Sequence, residues 1–374
     1  MTAITKIRVQ GLRSLRDVEF EPGRVTVLLG ANGSGKSNLL TALQMAAVSV
    51  TGGLRVFVGR AGGADALLHY GSKTTEKLSL RFEFSDEHGI ASAYTAELAH
   101  AADDSLVYVE ECLEAPGLAP RSLGQGHLES RLPAAAREPQ DELARATNWW
   151  LQRLSYFHFH DTSPRSALRT PANAEDDRYL RSDGSNLAAY LRALLESEGG
   201  DARAAWKRIS MLVRRVAPFI AELAPATTHF ESTHGASRPS RIRLDWIDER
   251  GERFGVHHLS DGTLRAIALI TALAQPAAQL PAFISIDEPE LGLHPAAIGL
   301  LVELVRAASV RSQIVLATQS PALLDHFAPE EVVIVERANG ESQLRRLEPS
   351  ELTDWLDDYR LSDLYDKNLL GGRP

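Results

Sequence analysis

Gly30-Ala31-Asn32-Gly33-Ser34-Gly35-Lys36-Ser37 restricts what this chain can fold into more than any other stretch. A short β-rich apolar run, Arg24-Val25-Thr26-Val27-Leu28-Leu29, comes before it. The residues after it, 37–50, are predicted to form a helix with Leu39, Leu40, Leu43 and Ala47 on one face. Strand, glycine-rich loop and helix in that order match the phosphate-loop pattern of Gly, four residues, then Gly-Lys-Ser. Gly30, Gly33 and Gly35 permit a tight backbone that aims successive N–H groups at phosphate oxygens, and the helix adds its positive N-terminal end. Lys36 suits the β- and γ-phosphates, and the Ser37 hydroxyl suits Mg²⁺. A glycine-rich turn that binds nothing has no need of Lys-Ser at this point. The loop alone does not separate kinases, GTPases, helicases and ABC-type ATPases.

Two later segments narrow the choice. Phe283-Ile284-Ser285-Ile286 is apolar and ends in Asp287-Glu288, the expected partner strand of a phosphate loop. Asp287 can hold Mg²⁺ through water, and Glu288 can take the proton of an attacking water. Pro289 stops the strand, and Leu291-Gly292-Leu293-His294-Pro295 leads into a helix beginning near Ala296. Upstream, Leu259-Ser260-Asp261-Gly262-Thr263 precedes an apolar helix over 264–273. Its serine hydroxyl and glycine backbone at a helix start suit an anion. In isolation this pentapeptide reads as an ordinary N-cap. Its place ahead of the Asp-Glu strand gives it a second reading.

In these pieces the chain resembles the ABC-type ATPase heads of the SMC, RecF and OLD group, and prokaryotic AAA family ATPases of RecF/OLD type in particular. The likeness is carried by Gly11-Leu12-Arg13-Ser14-Leu15, by Gly30 to Asn38, by Leu259 to Arg265, by Asp287 to Pro295, and by Ala317-Thr318-Gln319-Ser320-Pro321. It covers residues 1–100 and 240–348 and touches the middle weakly. The resemblance implies an α/β fold: a two-lobed ABC-type P-loop NTPase head, with a mixed sheet and flanking helices, an antiparallel β subdomain and a short helical insert. It also implies ATP and Mg²⁺ as cofactors and hydrolysis of ATP to ADP and phosphate. Gly30, Ala31, Asn32, Gly33, Ser34, Gly35, Lys36, Ser37 and Asn38 would bind ATP, and Ser37 and Asp287 would hold the metal. Glu288 and Gln319 would be catalytic. Ser260, Asp261 and Gly262 of one subunit would contact the γ-phosphate held by Lys36 of the other. The implied assembly is a head-to-tail homodimer with two sandwiched ATP molecules, acting in DNA repair or in defence against foreign DNA. Arg13 is the candidate contact to nucleotide or DNA.

The chain departs from that pattern in two places. The switch position after the second core strand is commonly His in the group, whereas here it is Gln319. Glutamine can hydrogen-bond a phosphate or a water but carries no proton, so hydrolysis is expected to be slow or to use Glu288 alone. The glutamine that usually touches Mg²⁺ between the lobes has no clear counterpart; Gln152 falls in an apparent helix.

Composition sets the outer bounds. At 374 residues, two lobes are the prior. The hydrophobic fraction of 44% and charged fraction of 24% are ordinary for a globular protein. A net charge of −9 argues against a surface broadly covered in phosphate-binding cations; Arg8, Arg13, Arg16 and Arg24 fall near the first strands, and scattered surface arginines are the simpler reading of them than a basic patch. With Cys112 alone, no disulfide or cysteine zinc site can form within one chain. No leader or membrane-length apolar run is evident, so the cytoplasm is the expected compartment and no membrane partner is expected.

The reading divides the chain into an N-terminal ATPase lobe (1–113), a connecting region with a helical hairpin (114–240), a C-terminal ATPase lobe (241–348) and a helical tail (349–374). Residues 78–84, 91–98 and 106–113 are predicted as an antiparallel sheet. Helices are predicted over 186–198 and 205–223 with Gly199-Gly200 between them, and over 322–327. Tyr156-Phe157-His158-Phe159-His160-Asp161 alternates, which places His158 and His160 on one strand face. A polar strand edge is the simpler reading of that pair than a metal site. The tail is too short for the TOPRIM nuclease of OLD proteins, so a nuclease would be a partner in trans. Two other readings stay open: an ATP-gated regulatory scaffold that hydrolyses slowly or not at all, and a transporter ATPase subunit. The latter fits poorly, because residues 259–263 lack the usual second glycine and glutamine.

Overall fold

The computed structural model describes residues 3–85, 91–228, 240–356 and 358–372. The chain forms two compact units. The first takes Met1–Tyr156, Ala282–Asp287 and Gln313–Pro374; the second takes Phe157–Pro281 and Glu288–Ser312.

The first unit holds two sheets. One is antiparallel, built from β1 (Ala3–Leu12), β2 (Leu15–Phe20), β4 (Lys77–Ser85), β5 (Ala91–His100), β6 (Leu106–Glu114) and β7 (Arg121–Gly124), in the order β2-β1-β4-β5-β6-β7. Burial alternates strictly along β4, with Leu78, Leu80, Phe82 and Phe84 inward. A sheet with one covered face produces that period of two. The other sheet is mixed, built from β3 (Val25–Leu29), β8 (Leu154–Phe157), β13 (Phe283–Asp287), β14 (Gln313–Thr318), β15 (Val332–Ala338) and β16 (Glu341–Arg346), in the order β16-β15-β3-β14-β13-β8. Strands β15, β3, β14 and β13 run parallel, and β16 is antiparallel to β15. Every residue of β3 and β14 is buried. Strands covered on both faces read as continuous apolar runs, and these two do.

Helices α1 (Lys36–Ser49), α2 (Leu54–Arg60), α3 (Leu132–Ala135) and α4 (Glu142–Gln152) complete the first unit with α9 (Pro321–Leu324), α10 (Pro349–Leu356) and α11 (Leu361–Asp366). Leu39, Leu40 and Leu43 of α1 join a core with Ile7, Val9, Phe82, Tyr94, Leu151 and Phe283. Each such side chain contributes roughly 1.5–3 kcal/mol of burial free energy. Gln313 fastens the two sheets through polar contacts. Its Oε1 accepts from the Ile4 N–H at 2.8 Å, and its Nε2 donates to the Ile4 carbonyl at 2.9 Å.

The second unit carries a third sheet, which the sequence reading did not anticipate. It contains β9 (Ala172–Asn173), β10 (Ile220–Thr228), β11 (Arg241–Asp248) and β12 (Arg253–Gly255), with β11 pairing antiparallel to the other three. Around it lie α5 (Leu187–Glu196), α6 (Gly200–Val216), α7 (Asp261–Leu273) and α8 (Pro295–Ser309). Among the described residues no helix is long and apolar enough to cross a membrane.

Several sequence expectations need correction. The helix predicted over 205–223 ends at Val216, and Ile220 and Leu223 belong to β10 instead. Pro218, which lacks a backbone donor, lies in the break. Gly200 does not separate the two insert helices; it is the first residue of α6. The helix predicted over 322–327 is a single turn, α9. The alternating His158–His160 stretch is not strand: β8 stops at Phe157, and the His158 N–H donates to the Ser182 carbonyl at 3.0 Å.

Candidate nucleotide site

In the first unit, the loop leaving β3 is shaped by contacts that only glycine allows. Gly33 and Gly35 have φ of 79° and 113°. A Cβ on Gly35 would collide with Ser342 Oγ, and one on Gly30 would collide with the Val335 carbonyl. Hydroxyl groups buttress the turn. Ser342 Oγ donates to the Ser34 carbonyl at 2.7 Å and lies 2.6 Å from Ser14 Oγ, which accepts from Asn38 Nδ2 at 2.7 Å. Ala31 and Asn32 sit at the loop crest, where Asn32 and Gly33 are exposed. Lys36 is buried, with Nζ donating to the Gly30 and Ala31 carbonyls at 2.6 and 2.9 Å.

The tail also reaches this loop. The Ala31 N–H donates to the Gly372 carbonyl at 2.8 Å, and Tyr365 Oη donates to the same oxygen at 3.1 Å. The Gly372 N–H donates to Glu336 Oε1 at 2.6 Å. No local signal in the sequence pointed to this contact.

Asp287 ends β13, two strands from β3 in the parallel sheet. Ser37 Oγ donates to Asp287 Oδ2 at 3.2 Å, and Tyr156 Oη donates to the same oxygen at 3.5 Å. Burial first, and the Asp287 charge second, push the Tyr156 phenol well up, so it stays a donor. A serine hydroxyl beside a carboxylate forms a hard oxygen pair suited to Mg²⁺, which ordinarily completes its shell with water and substrate phosphates. Among the described residues no group of three or more His, Cys, Asp or Glu converges on a metal position, and a phosphate-completed magnesium needs none. Gln319 follows the end of β14 and is half-buried.

Arg13 also lies in the first unit, at φ 47°, with its N–H donating to the Leu67 carbonyl at 2.8 Å. It lines a cavity of about 510 Å³ together with Thr41, Gln44, Phe57 and Arg60. A left-handed non-glycine residue is strained and persists only when its surroundings fix it.

The second unit holds Glu288 and the capping pentapeptide. Glu288 has φ 42°, and its carboxylate lies 4.0 Å from His160 Nδ1. Ser260 is the N-cap of α7, accepting from the Thr263 N–H at 3.2 Å. Ser260 and Asp261 are exposed. Ser260, Gly262 and Thr263 line a cavity of about 400 Å³ with Gly292, His294 and Arg215. A Cβ on Gly262 would collide with the Gly292 carbonyl, so the capping loop and the turn after Glu288 pack at glycine distance.

Buried arginines fix that loop from below. Arg169 donates to the Thr162 and Val256 carbonyls at 2.7 Å each, to Leu259 O at 3.2 Å, and to Asp261 Oδ1 at 2.7 Å. Its hydrogen bond holds the Asp261 carboxyl below its usual range. The sequence reading missed Arg169 and Ser342; it named Arg265, Tyr156 and His160 only within longer stretches, without giving Arg265 or Tyr156 a role or placing His160 beside Glu288.

Fold and site together define an ABC-type P-loop ATPase head. A family profile described as "AAA domain, putative AbiEii toxin, Type IV TA system" matches residues 25–325, and the chain belongs to that family. Solved structures with the same fold include an Smc head bound to the C-terminal winged-helix domain of ScpA, at 16% identity and TM-score 0.59, covering 94% of this chain and 99% of that one. A Pyrococcus furiosus Smc head with an extended coiled coil, bound to the C-terminal domain of ScpA, aligns at 15% identity and TM-score 0.56, covering 96% and 99%. A Pyrococcus yayanosii Smc head with coiled coil and joint aligns at 14% identity and TM-score 0.53, also covering 96% and 99%. No curated protein matches the chain in sequence.

Proposed function

We propose that this chain binds ATP with Mg²⁺ and hydrolyses it to ADP and phosphate in a head-to-tail homodimer. The observation that carries this reading is the 3.2 Å hydrogen bond from Ser37 to Asp287, which joins the phosphate loop to the acidic strand end. Gly30 to Asn38 cradle the phosphates, Lys36 neutralises the β- and γ-phosphates, and Ser37 and Asp287 hold the metal, which screens phosphate charge when bound. Glu288, next in the chain after Asp287, takes a proton from the attacking water as the new O–P bond forms and the bond to the ADP oxygen breaks. Gln319 orients that water or the γ-phosphate through its amide.

Ser260, Asp261 and Gly262 cap the γ-phosphate held by the other protomer. Exposure of Ser260 and Asp261 beside an open cavity supports that role. The ATP-bound dimer is the signalling or clamping state, in DNA repair or in defence. The toxin–antitoxin wording of the family description favours defence, and the ScpA-bound heads favour a protein partner; a nuclease acting in trans is the partner we infer. Arg13 contacts nucleotide or DNA, with a DNA affinity that falls steeply with salt. The cytoplasm is the fitting compartment.

The test is Glu288→Gln. Sedimentation is expected to show a dimer with ATP and Mg²⁺ and a monomer without ATP; a monomer in both conditions refutes the shared site. Gln319 favours one second reading, a slow or non-hydrolysing scaffold whose ATP-bound form recruits the partner. Steady-state turnover by the unaltered protein separates the two.

A further inference from the structure

We propose that Arg265 is a positioning residue that ties the capping loop of a protomer to the turn carrying that protomer's Glu288; this rests on the hydrolytic reading above. Arg265 lies one turn into α7 and is 6% exposed. Its guanidinium donates to three backbone carbonyls from two remote segments: Phe159 at 2.9 Å, His160 at 2.9 Å, and Leu291. Burial pulls its pKa down, while the charges of Asp261 and then Glu288 pull it up. Covering a cation this thoroughly is costly, and neutral carbonyls repay it only in a fixed geometry.

Those acceptors surround the catalytic turn. The Leu291 N–H donates to the Glu288 carbonyl at 3.1 Å, closing the turn, while the Leu291 carbonyl is the one Arg265 holds. The His160 carbonyl is another, and its imidazole is the group 4.0 Å from the Glu288 carboxylate. A Cβ on Gly292 would come within 2.7 Å of Arg265 Nη1, so the turn packs directly on the guanidinium. Glu288 itself sits at a left-handed φ that needs outside support. Movement at the start of α7, where the capping serine meets a phosphate, therefore reaches Glu288 through one rigid fork rather than along the backbone of the turn alone.

Arg265→Lys keeps the charge and loses the fork. We expect a folded protein with KM for ATP within about twofold and kcat reduced at least about tenfold, the scale of a small misplacement of a catalytic group. On the Glu288→Gln background the same change is expected to lower the residual rate no further, because the two residues act as one unit. Hydrogen exchange at the Leu291 and Leu293 amides is expected to rise about tenfold in Arg265→Lys. Unchanged kcat, a loss that adds fully to that of Glu288→Gln, or unchanged exchange overturns the proposal. If the unaltered protein shows no turnover, the hydrolytic reading fails and the exchange measurement alone decides for or against Arg265. Arg265→Gln, which retains two N–H donors, replaces the lysine variant if that one does not fold; failure of both to fold overturns the proposal in favour of a purely structural role.

Discussion

Ser37 and Asp287, separated by 250 positions, meet through a 3.2 Å hydrogen bond. The parallel register makes this possible: β14 pairs with β3 on one side and β13 on the other, bringing the C-terminal ends of all three strands to one edge. Ligands in open α/β sheets gather at that edge.

Lys36→Ala is expected to abolish measurable ATP binding while leaving the fold intact. The lysine's hydrogen bonds run to the Gly30 and Ala31 carbonyls of its own loop. Removing the charge-assisted contact to the phosphates should weaken affinity at least about a hundredfold. Titration calorimetry checks it, and unchanged affinity would remove the loop from the site.

Gly33 and Gly35 share a left-handed φ but should tolerate alanine differently. Nothing lies within 4 Å of a Cβ on Gly33, so Gly33→Ala should cost only the backbone strain, about 1–2 kcal/mol. Gly35→Ala adds the collision with Ser342 Oγ and should also abolish ATP binding. Urea denaturation and calorimetry on the pair distinguish the two costs, and equal behaviour would contradict the described loop.

Replacing Gln313 by Met tests the amide that joins β14 to β1. It is 4% exposed, and the change leaves the Ile4 N–H and carbonyl without those partners. A loss of about 2–3 kcal/mol is expected from the denaturation midpoint. A loss under about 0.5 kcal/mol would show that the amide is dispensable.

A pH-dependent contribution comes from Glu114, whose carboxylate accepts a two-pronged hydrogen bond from Arg81 at 2.6 and 2.9 Å. That bond holds its carboxyl below the ordinary value of 4.5. A depressed folded-state pKa stabilises the fold above the unfolded value, and the contribution fades as pH drops through the folded one. Glu114→Gln should therefore lower stability at pH 7, by less than about 1 kcal/mol given the pair's partial exposure. Once the pH falls below the depressed folded-state value the variant and the parent should converge, and thermal melts over a descending pH series supply the comparison.

The phosphate loop, the Asp-Glu strand end and the apolar strands β3 and β13 that carry them were legible because each is written locally. Glycine spacing, continuous apolar runs and cap residues all act within a few positions. The break at Val216 had one local signal, Pro218, which the reading passed over because Trp206, Ile209, Leu212, Val213, Val216 and Ile220 keep helical spacing straight through it. What ends the helix is Pro218 together with pairing of β10 to β11, a partner set by remote sequence. The same holds for Arg169 and Arg265. An arginine on an apolar helix reads as a surface residue until the carbonyls of distant segments are known to enclose it.

The described chain finishes against the phosphate loop, with the Gly372 carbonyl on the Ala31 amide. A phosphate oxygen that took the Ala31 N–H would displace the Gly372 carbonyl, so each contact would disfavour the other by the same free energy.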